Sequence, residues 1–185
     1  GYIVPGAAMI VEHLKDTVIK VDGQWNYGQI GATRMTELAI EAAKKHGMAC
    51  ASLRRCRHVG RVGAYTEMAA QNDCVGLAVC STAGEGHWVA PYGGRQGRLG
   101  TNPMSFSAPT GGHPIVMDFS TSSLPEGKVR LLRDTGEALP QDSLVDSQGR
   151  PSTDPGDLYD DNGEPAGAIL PFGGAQGYKG FGLGL

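Results

Sequence analysis

Twenty-nine of the 185 residues are glycine, roughly twice the usual share of about 7%. They follow no G-x-y period and form no low-complexity tract, so neither a collagen-like helix nor a flexible linker accounts for them. A chain punctuated in this way builds short elements joined by tight turns, or keeps loops in which a ligand approaches the backbone closely. With 40% of its residues hydrophobic, it can still bury a core, and its length predicts one domain.

Charge and cysteine content narrow the function classes. Nineteen acids against sixteen bases give a net charge of −3, and no basic block exists that would neutralise phosphates, which argues against nucleic acid as a partner. No apolar run is long enough to cross a membrane. Cys50, Cys56, Cys74 and Cys80 lie in or near apolar runs without a C-x-x-C pair or a signal peptide. They read as buried, reduced thiols in a cytoplasmic protein rather than as disulfides or zinc ligands. The chain starts at Gly1 without a methionine and stops at Leu185, where an apolar helix is beginning; this predicts an excerpt of a longer polypeptide.

Along the chain, Thr17–Val21 reads as a strand closed by an Asp22-Gly23 turn. Residues 31–45 carry a helical pattern in Met35, Leu38, Ala39 and Ala42, with Lys44, Lys45 and His46 at the negative end of the dipole and Gly47 at the C′ position. Met48–Leu53 is predicted as a buried strand, Gly63–Gln71 as a second helix and Val75–Ser81 as another strand. Ala83–Gly100 has no apolar period and reads as a long loop, a common place for function. Met104–Ala108 and Ile115–Phe119 predict a hairpin across Thr110–Pro114. From Gly127 onward the chain reads mostly as turns. The class is α+β with antiparallel pairs, and no G-x-G-x-x-G follows a strand as a Rossmann domain requires.

His58, in the run Arg57-His58-Val59-Gly60-Arg61-Val62-Gly63-Ala64-Tyr65, is the leading candidate for chemistry. Imidazole exchanges protons near neutrality, Gly60 and Gly63 leave backbone accessible, and Arg61 would oppose a second positive charge beside the ring. A structural histidine is the alternative. His13 and His113 lie in surface-like contexts, His87 in the long loop cannot be ranked, and no two histidines have helical ligand spacing, so no metal is expected. Asp118-Phe119-Ser120-Thr121-Ser122 suits a ribose or phosphate group, or the cap of a following helix. Gly100-Thr101-Asn102-Pro103 suits a ligand contact or ordinary turn punctuation. Lys179 could meet a phosphate or carboxylate, or simply lie on the surface.

Six motifs in order, HVGRVGAY at 58–65, VAPYGG at 89–94, LGTNP at 99–103, MDFSTS at 117–122, DSQGRPSTDP at 146–155 and YKGFGLGL at 178–185, resemble the type-2 malate/L-lactate dehydrogenase family over nearly all of the chain. The resemblance implies a non-Rossmann nicotinamide-binding domain over 1–185, with a mixed, largely antiparallel sheet and packed helices. It implies NAD or NADP as cofactor, a small 2-hydroxy acid or its 2-oxo partner as substrate, and a homodimer. Carried over by position, His58 matches a proton acceptor; Gly60, Arg61, Val62, Thr82, Asp118, Phe119, Ser120, Thr121, Ser122 and Lys179 match cofactor-binding positions. Ser120 stands where the family usually has alanine. The family's N-terminal helical region, with a second catalytic histidine, and its C-terminal helices have no counterpart here. A non-catalytic cofactor-binding or dimerisation module is therefore the alternative.

Overall fold

The computed structural model describes residues 3–82 and 86–185. Gly1 and the first three residues of the predicted loop, 83–85, lie outside the described residues. The length predicts one domain, whereas the contacts divide the chain into two compact units, residues 1–78 with 105–118 and residues 79–104 with 119–185.

The first unit opens with β1 (Ile10–Lys15) and β2 (Val18–Asp22), paired antiparallel with an irregularity between His13 and Lys15. α1 (Gly28–His46) then crosses to β3 (Cys50–Arg54), which pairs parallel to β2 in the register Val18↔Cys50 to Asp22↔Arg54. The helix forms because Leu38, with Met35 and Ala42, covers Ile19 and Val21 of β2. It ends at Gly47, whose φ of 86° is the left-handed cap and whose N–H donates to the Ala43 carbonyl. Burying side chains such as Ile19 and Leu38 contributes about 1.5–3 kcal/mol each, which makes this sandwich the unit's main anchor.

α2 (Gly63–Ala70) and β4 (Gly76–Val79) follow, and β4 joins β5 (Met104–Ala108) and β6 (Ile115–Phe119) in a sheet of order β4-β5-β6. The short 109–114 connection leaves β5 and β6 no room for a parallel crossover, and Thr110 Oγ pins it by accepting from Gly112 N–H (3.1 Å) and donating to the His113 carbonyl (2.8 Å). The division between the units falls within each of these three strands, after Ala78, before Ser105 and after Asp118.

The second unit contains α3 (Glu126–Thr135), the two-residue strands β7 (Leu144–Val145), β8 (Pro151–Ser152) and β9 (Ala168–Ile169) in the antiparallel order β8-β7-β9, and the short α4 (Tyr178–Gly184). Val89, Val129, Leu132, Leu139, Leu144, Leu158 and Ile169 form its core. Val89 enters that core because it bridges Leu99 on one side and Ile169 on the other, so the long loop is stitched down over part of its length.

Three expectations are corrected. The region after Gly127 is not mostly turns: α3 is ten residues long and closes at Gly136 with a left-handed φ of 73°. The cysteines form no disulfide among the described residues, but Cys50 is exposed and the others half-buried rather than buried; Cys50 is open because β3 alternates exposed and half-buried residues instead of being covered on both faces. Met48 lies outside β3 and is 77% exposed. No helix among the described residues is long and apolar enough to cross a membrane.

Candidate active site

His58 sits four residues beyond β3, on a segment held from two sides. Backbone bonds run from Gly23 N to Arg54 O (2.8 Å), from Trp25 N to Arg55 O (2.6 Å) and from Arg57 N to Asn26 O (3.2 Å). Gly28, the first residue of α1, rests directly on this segment: a Cβ there would fall 1.9 Å from the Arg57 carbonyl oxygen and 2.5 Å from that of His58. From the other side, Tyr65 of α2 donates its hydroxyl to the Val59 carbonyl. Asp22, buried at the end of β2, fastens the approach by accepting from Arg55 Nε (3.0 Å) and pairing with Arg55 Nη2 (2.8 Å) and Arg54 Nε (3.3 Å). The Arg55 guanidinium holds the Asp22 carboxyl down to about 2, against an ordinary value of 3.8.

The ring of His58 is exposed, and its Nδ1 accepts the Gly60 N–H at 3.0 Å. Gly60 reaches it with a φ of 75°, a conformation that L side chains rarely adopt. Because Nδ1 spends its lone pair on that bond, the neutral ring carries its proton on Nε2. The ring therefore presents an N–H donor outward, and proton uptake at Nδ1 requires the Gly60 N–H to let go.

Arg61 does not act as an unpaired positive charge beside His58. Its guanidinium pairs with Glu67 of α2 and, at 3.6 Å, with Asp118 at the end of β6. Two carboxylates thus neutralise it, which corrects the reading that it opposes charge on the imidazole. The same ion pair brings two predicted positions, Arg61 and Asp118, together within the first unit. Beneath them lies an arrangement that the sequence does not announce: Thr66 Oγ1, 2% exposed as a residue, donates to Gly63 O (3.2 Å), contacts Ser105 Oγ (2.6 Å) and accepts from Ser107 Oγ (2.8 Å), while Ser105 reaches the Met117 carbonyl (2.8 Å). Only the β-period of Ser105 and Ser107 could have signalled it. Val62, also predicted, is buried at 4% and offers a ligand backbone at most.

In the second unit, the serine and threonine hydroxyls after Asp118 face inward. Thr121 donates to the carbonyls of Asn102 (2.9 Å) and Thr101 (3.3 Å), Ser122 to the Leu124 carbonyl (2.7 Å), and Ser120 to the Ser122 carbonyl (3.1 Å). None caps α3, whose N-cap position is Pro125 without a side-chain bond, so the capping reading is corrected. Phe119 meets Phe172 edge-on at 5.5 Å. Asn102, with a φ of 32°, donates its amide to the Gly184 carbonyl (2.6 Å) and leaves Oδ1 buried without a donor. Thr82 is exposed, and a Cβ on the intervening Gly100 would lie 2.6 Å from its Oγ1 and 2.8 Å from Asn102 Oδ1. Lys179 is exposed on α4, 5.8 Å from the Tyr178 ring centre, and forms no ion pair among the described residues.

The family model for malate/L-lactate dehydrogenase matches residues 1–185. The chain belongs to the malate/L-lactate dehydrogenase family. It is 40% identical over 164 residues to the L-lactate dehydrogenase of Cupriavidus necator, covering 88% of this chain and 46% of that protein. It is 34% identical over 180 residues to the L-sulfolactate dehydrogenase of Methanothermobacter thermautotrophicus, covering 96% and 50%. The crystal structure of malate dehydrogenase from Entamoeba histolytica superposes with a TM-score of 0.89 at 29% identity, over 98% of this chain and 51% of that one. The chain thus spans about half the length of these family members, and the mixed α+β fold is theirs.

Proposed function

We propose that the protein is an oxidoreductase that moves a hydride between a nicotinamide cofactor, NAD or NADP, and a small 2-hydroxy acid or its 2-oxo partner. The observation that carries this reading is His58: an exposed imidazole whose backbone is clamped by Gly28 and Tyr65 and whose tautomer is set by Gly60, inside a family named for dehydrogenation of such acids. Two groups in the second unit fit the cofactor. Asn102 Oδ1 is a buried acceptor that lacks a donor, as an amide or hydroxyl could supply, and the Lys179 ammonium suits a phosphate oxygen. Thr82, exposed beside Asn102, would add a hydroxyl, and the 118–122 segment would offer its backbone, since its serine and threonine hydroxyls are engaged internally.

When bound, the nicotinamide supplies or takes the hydride. The protein's own residues handle the proton. In the resting ring, Nδ1 is held by the Gly60 N–H and Nε2 carries the proton, so the substrate hydroxyl has to reach Nδ1 to be deprotonated. Oxidation of a hydroxyl requires a lone pair on the imidazole, and the neutral ring has one only at Nδ1, so the proton is taken there as the Gly60 N–H withdraws. Arg61, with Glu67 and Asp118 already on it, ties the segment before α2 to the middle of that helix rather than holding a substrate carboxylate.

Screening lactate, malate, sulfolactate and ureidoglycolate against NAD and NADP, in both directions, tests the proposal through the absorbance of the reduced cofactor. Turnover of at least one acid is the expected outcome; no turnover with any of a broad panel would overturn it. Because the chain spans about half the length of its relatives, a second reading is a cofactor-binding module. It expects nucleotide to raise the melting temperature without turnover. A cytoplasmic setting accords with cysteines that form no disulfide among the described residues. We also propose a homodimer, supported by the apolar exposure of Leu77 (71%), Val79 (76%) and Ile115 (62%). Sedimentation equilibrium should return twice the chain mass, and a monomer at micromolar concentration would contradict it.

A further inference from the structure

We infer that the second unit carries an anion site for a small diphosphate-like ligand, built by His87, Arg95, Gln96 and Arg98 and separate from every residue assigned above to the cofactor. A cleft of about 290 Å³ is lined by His87, Gln96, Gly97, Arg98 and the 165–167 segment. A second cleft of about 230 Å³, lined by Pro91, Gly94 and Arg95, has the same Gln96 and Arg98 in its wall. Together they make two lobes, with an imidazole in one, a guanidinium in the other, and a second guanidinium common to both.

The charged groups offered there, the Arg95 and Arg98 guanidinium ions, are donors only. Arg98 Nη2 gives one hydrogen to Gln96 Oε1 at 2.8 Å, which fixes the amide so that its NH₂ is the group left to present. Neither arginine forms an ion pair among the described residues. The carboxylates of the adjoining turns are spent on their own loops. Asp146, in the turn whose Gly149 lies against Arg95, accepts from Gln148 N (2.8 Å), Arg150 N (2.9 Å) and Arg150 Nε (2.7 Å). Asp160 accepts from Asn162 N (2.8 Å) and Glu164 N (2.9 Å), and those backbone bonds hold both acids below the usual carboxylate range. Asp157 takes the Ser152 hydroxyl at 2.5 Å. Glu164, next to Pro165, is exposed and does not line the cleft.

The wall is fixed as well. Gly97 packs so closely on the His87 carbonyl that a Cβ would fall 1.8 Å from its oxygen, and a Cβ on Gly167 would fall 2.4 Å from the carbonyl oxygens of Val145 and Asp157. Two guanidinium forks on a fixed wall recognise oxyanions by paired N–H bonds. With Arg98 in both lobes, two linked anionic groups fit better than one.

Isothermal titration of the 185-residue protein with inorganic pyrophosphate tests the site. Binding is expected, weakened by about tenfold or more in Arg98→Ala and in Arg95→Ala, as loss of a charged hydrogen bond entails, and unchanged in Lys179→Ala. Arg98→Lys should recover only part of the loss, because an ammonium keeps the charge without the fork. Both arginines are exposed, so melting temperatures should hold; if Arg98→Ala fails to fold, Arg95→Ala still reads the second lobe. ADP, in a parallel titration, should lose affinity in Lys179→Ala, as the cofactor residues require, and its diphosphate should lose affinity in Arg95→Ala and Arg98→Ala, as the anion site requires. No binding of pyrophosphate, binding indifferent to both arginines, or binding lost in Lys179→Ala would overturn the inference while leaving the dehydrogenase proposal standing.

Discussion

Asp22 lies two residues before the turn that leads into α1, yet it decides where the segment carrying His58 begins. Its buried carboxylate gathers Arg54 and Arg55 at the end of β3, and the segment that presents the imidazole departs from there. Its folded-state pKa, about 2, lies below the unfolded value of about 3.9. The stability it contributes is therefore fully present above pH 4 and is lost as pH falls toward 2. Asp22→Asn should melt below the wild type at neutral pH, with the gap closing between about pH 4 and pH 2 in a thermal titration. A gap that stays constant across that range would contradict the assignment. At this scale the sequence was partly legible. His58, Gly60 and Lys179 stood out by residue type and neighbourhood, whereas the neutralisation of Arg61 did not, because Asp118 is 57 positions away and only the fold brings it near.

α2 shows what a short helix needs when its own periodicity is weak. With Gly63, Thr66, Ala69 and Ala70 buried, it has little apolar bulk to anchor it, and the Thr66–Ser105–Ser107 hydroxyl cluster ties it to β5 instead. Thr66→Val keeps the shape but leaves two buried serines short of a partner, at a cost of about 1–3 kcal/mol. Equilibrium urea unfolding should register that loss, and a change within about 0.5 kcal/mol, the range of an ordinary surface substitution, would mean the cluster is not structural. The strands beside α2 were plain in advance, since Met104–Ala108 alternates serines with apolar residues, Ile115–Phe119 is mostly apolar, both are bounded by turn residues, and both fold over those same limits. α3 was not, because only Val129 and Leu132 are buried in ten residues. Its remaining support is the Arg130–Glu126 pair at 2.7 Å and a bond from the Tyr159 hydroxyl to Glu126 at 3.0 Å, the second of which arises only in the folded chain.

For the whole molecule, the two compact units divide the residues of the proposed reaction. The first holds His58, proposed to exchange the proton, with the Arg61–Glu67–Asp118 cluster; the second holds Thr82, Asn102 and Lys179, the groups proposed for a nucleotide. Composition alone could not reveal this division, because the chain passes between the units within strands that read as unbroken elements. Its functional consequence is that turnover and nucleotide affinity should be separable by mutation. The decisive measurement pairs kcat with nucleotide Kd for His58→Ala and Lys179→Ala. His58→Ala should lower kcat by on the order of 10²-fold while leaving nucleotide Kd nearly unchanged, and Lys179→Ala should weaken nucleotide binding by about tenfold. A folded His58→Ala variant with kcat within a few-fold of the wild type would contradict the account, for the proton would then be exchanged elsewhere.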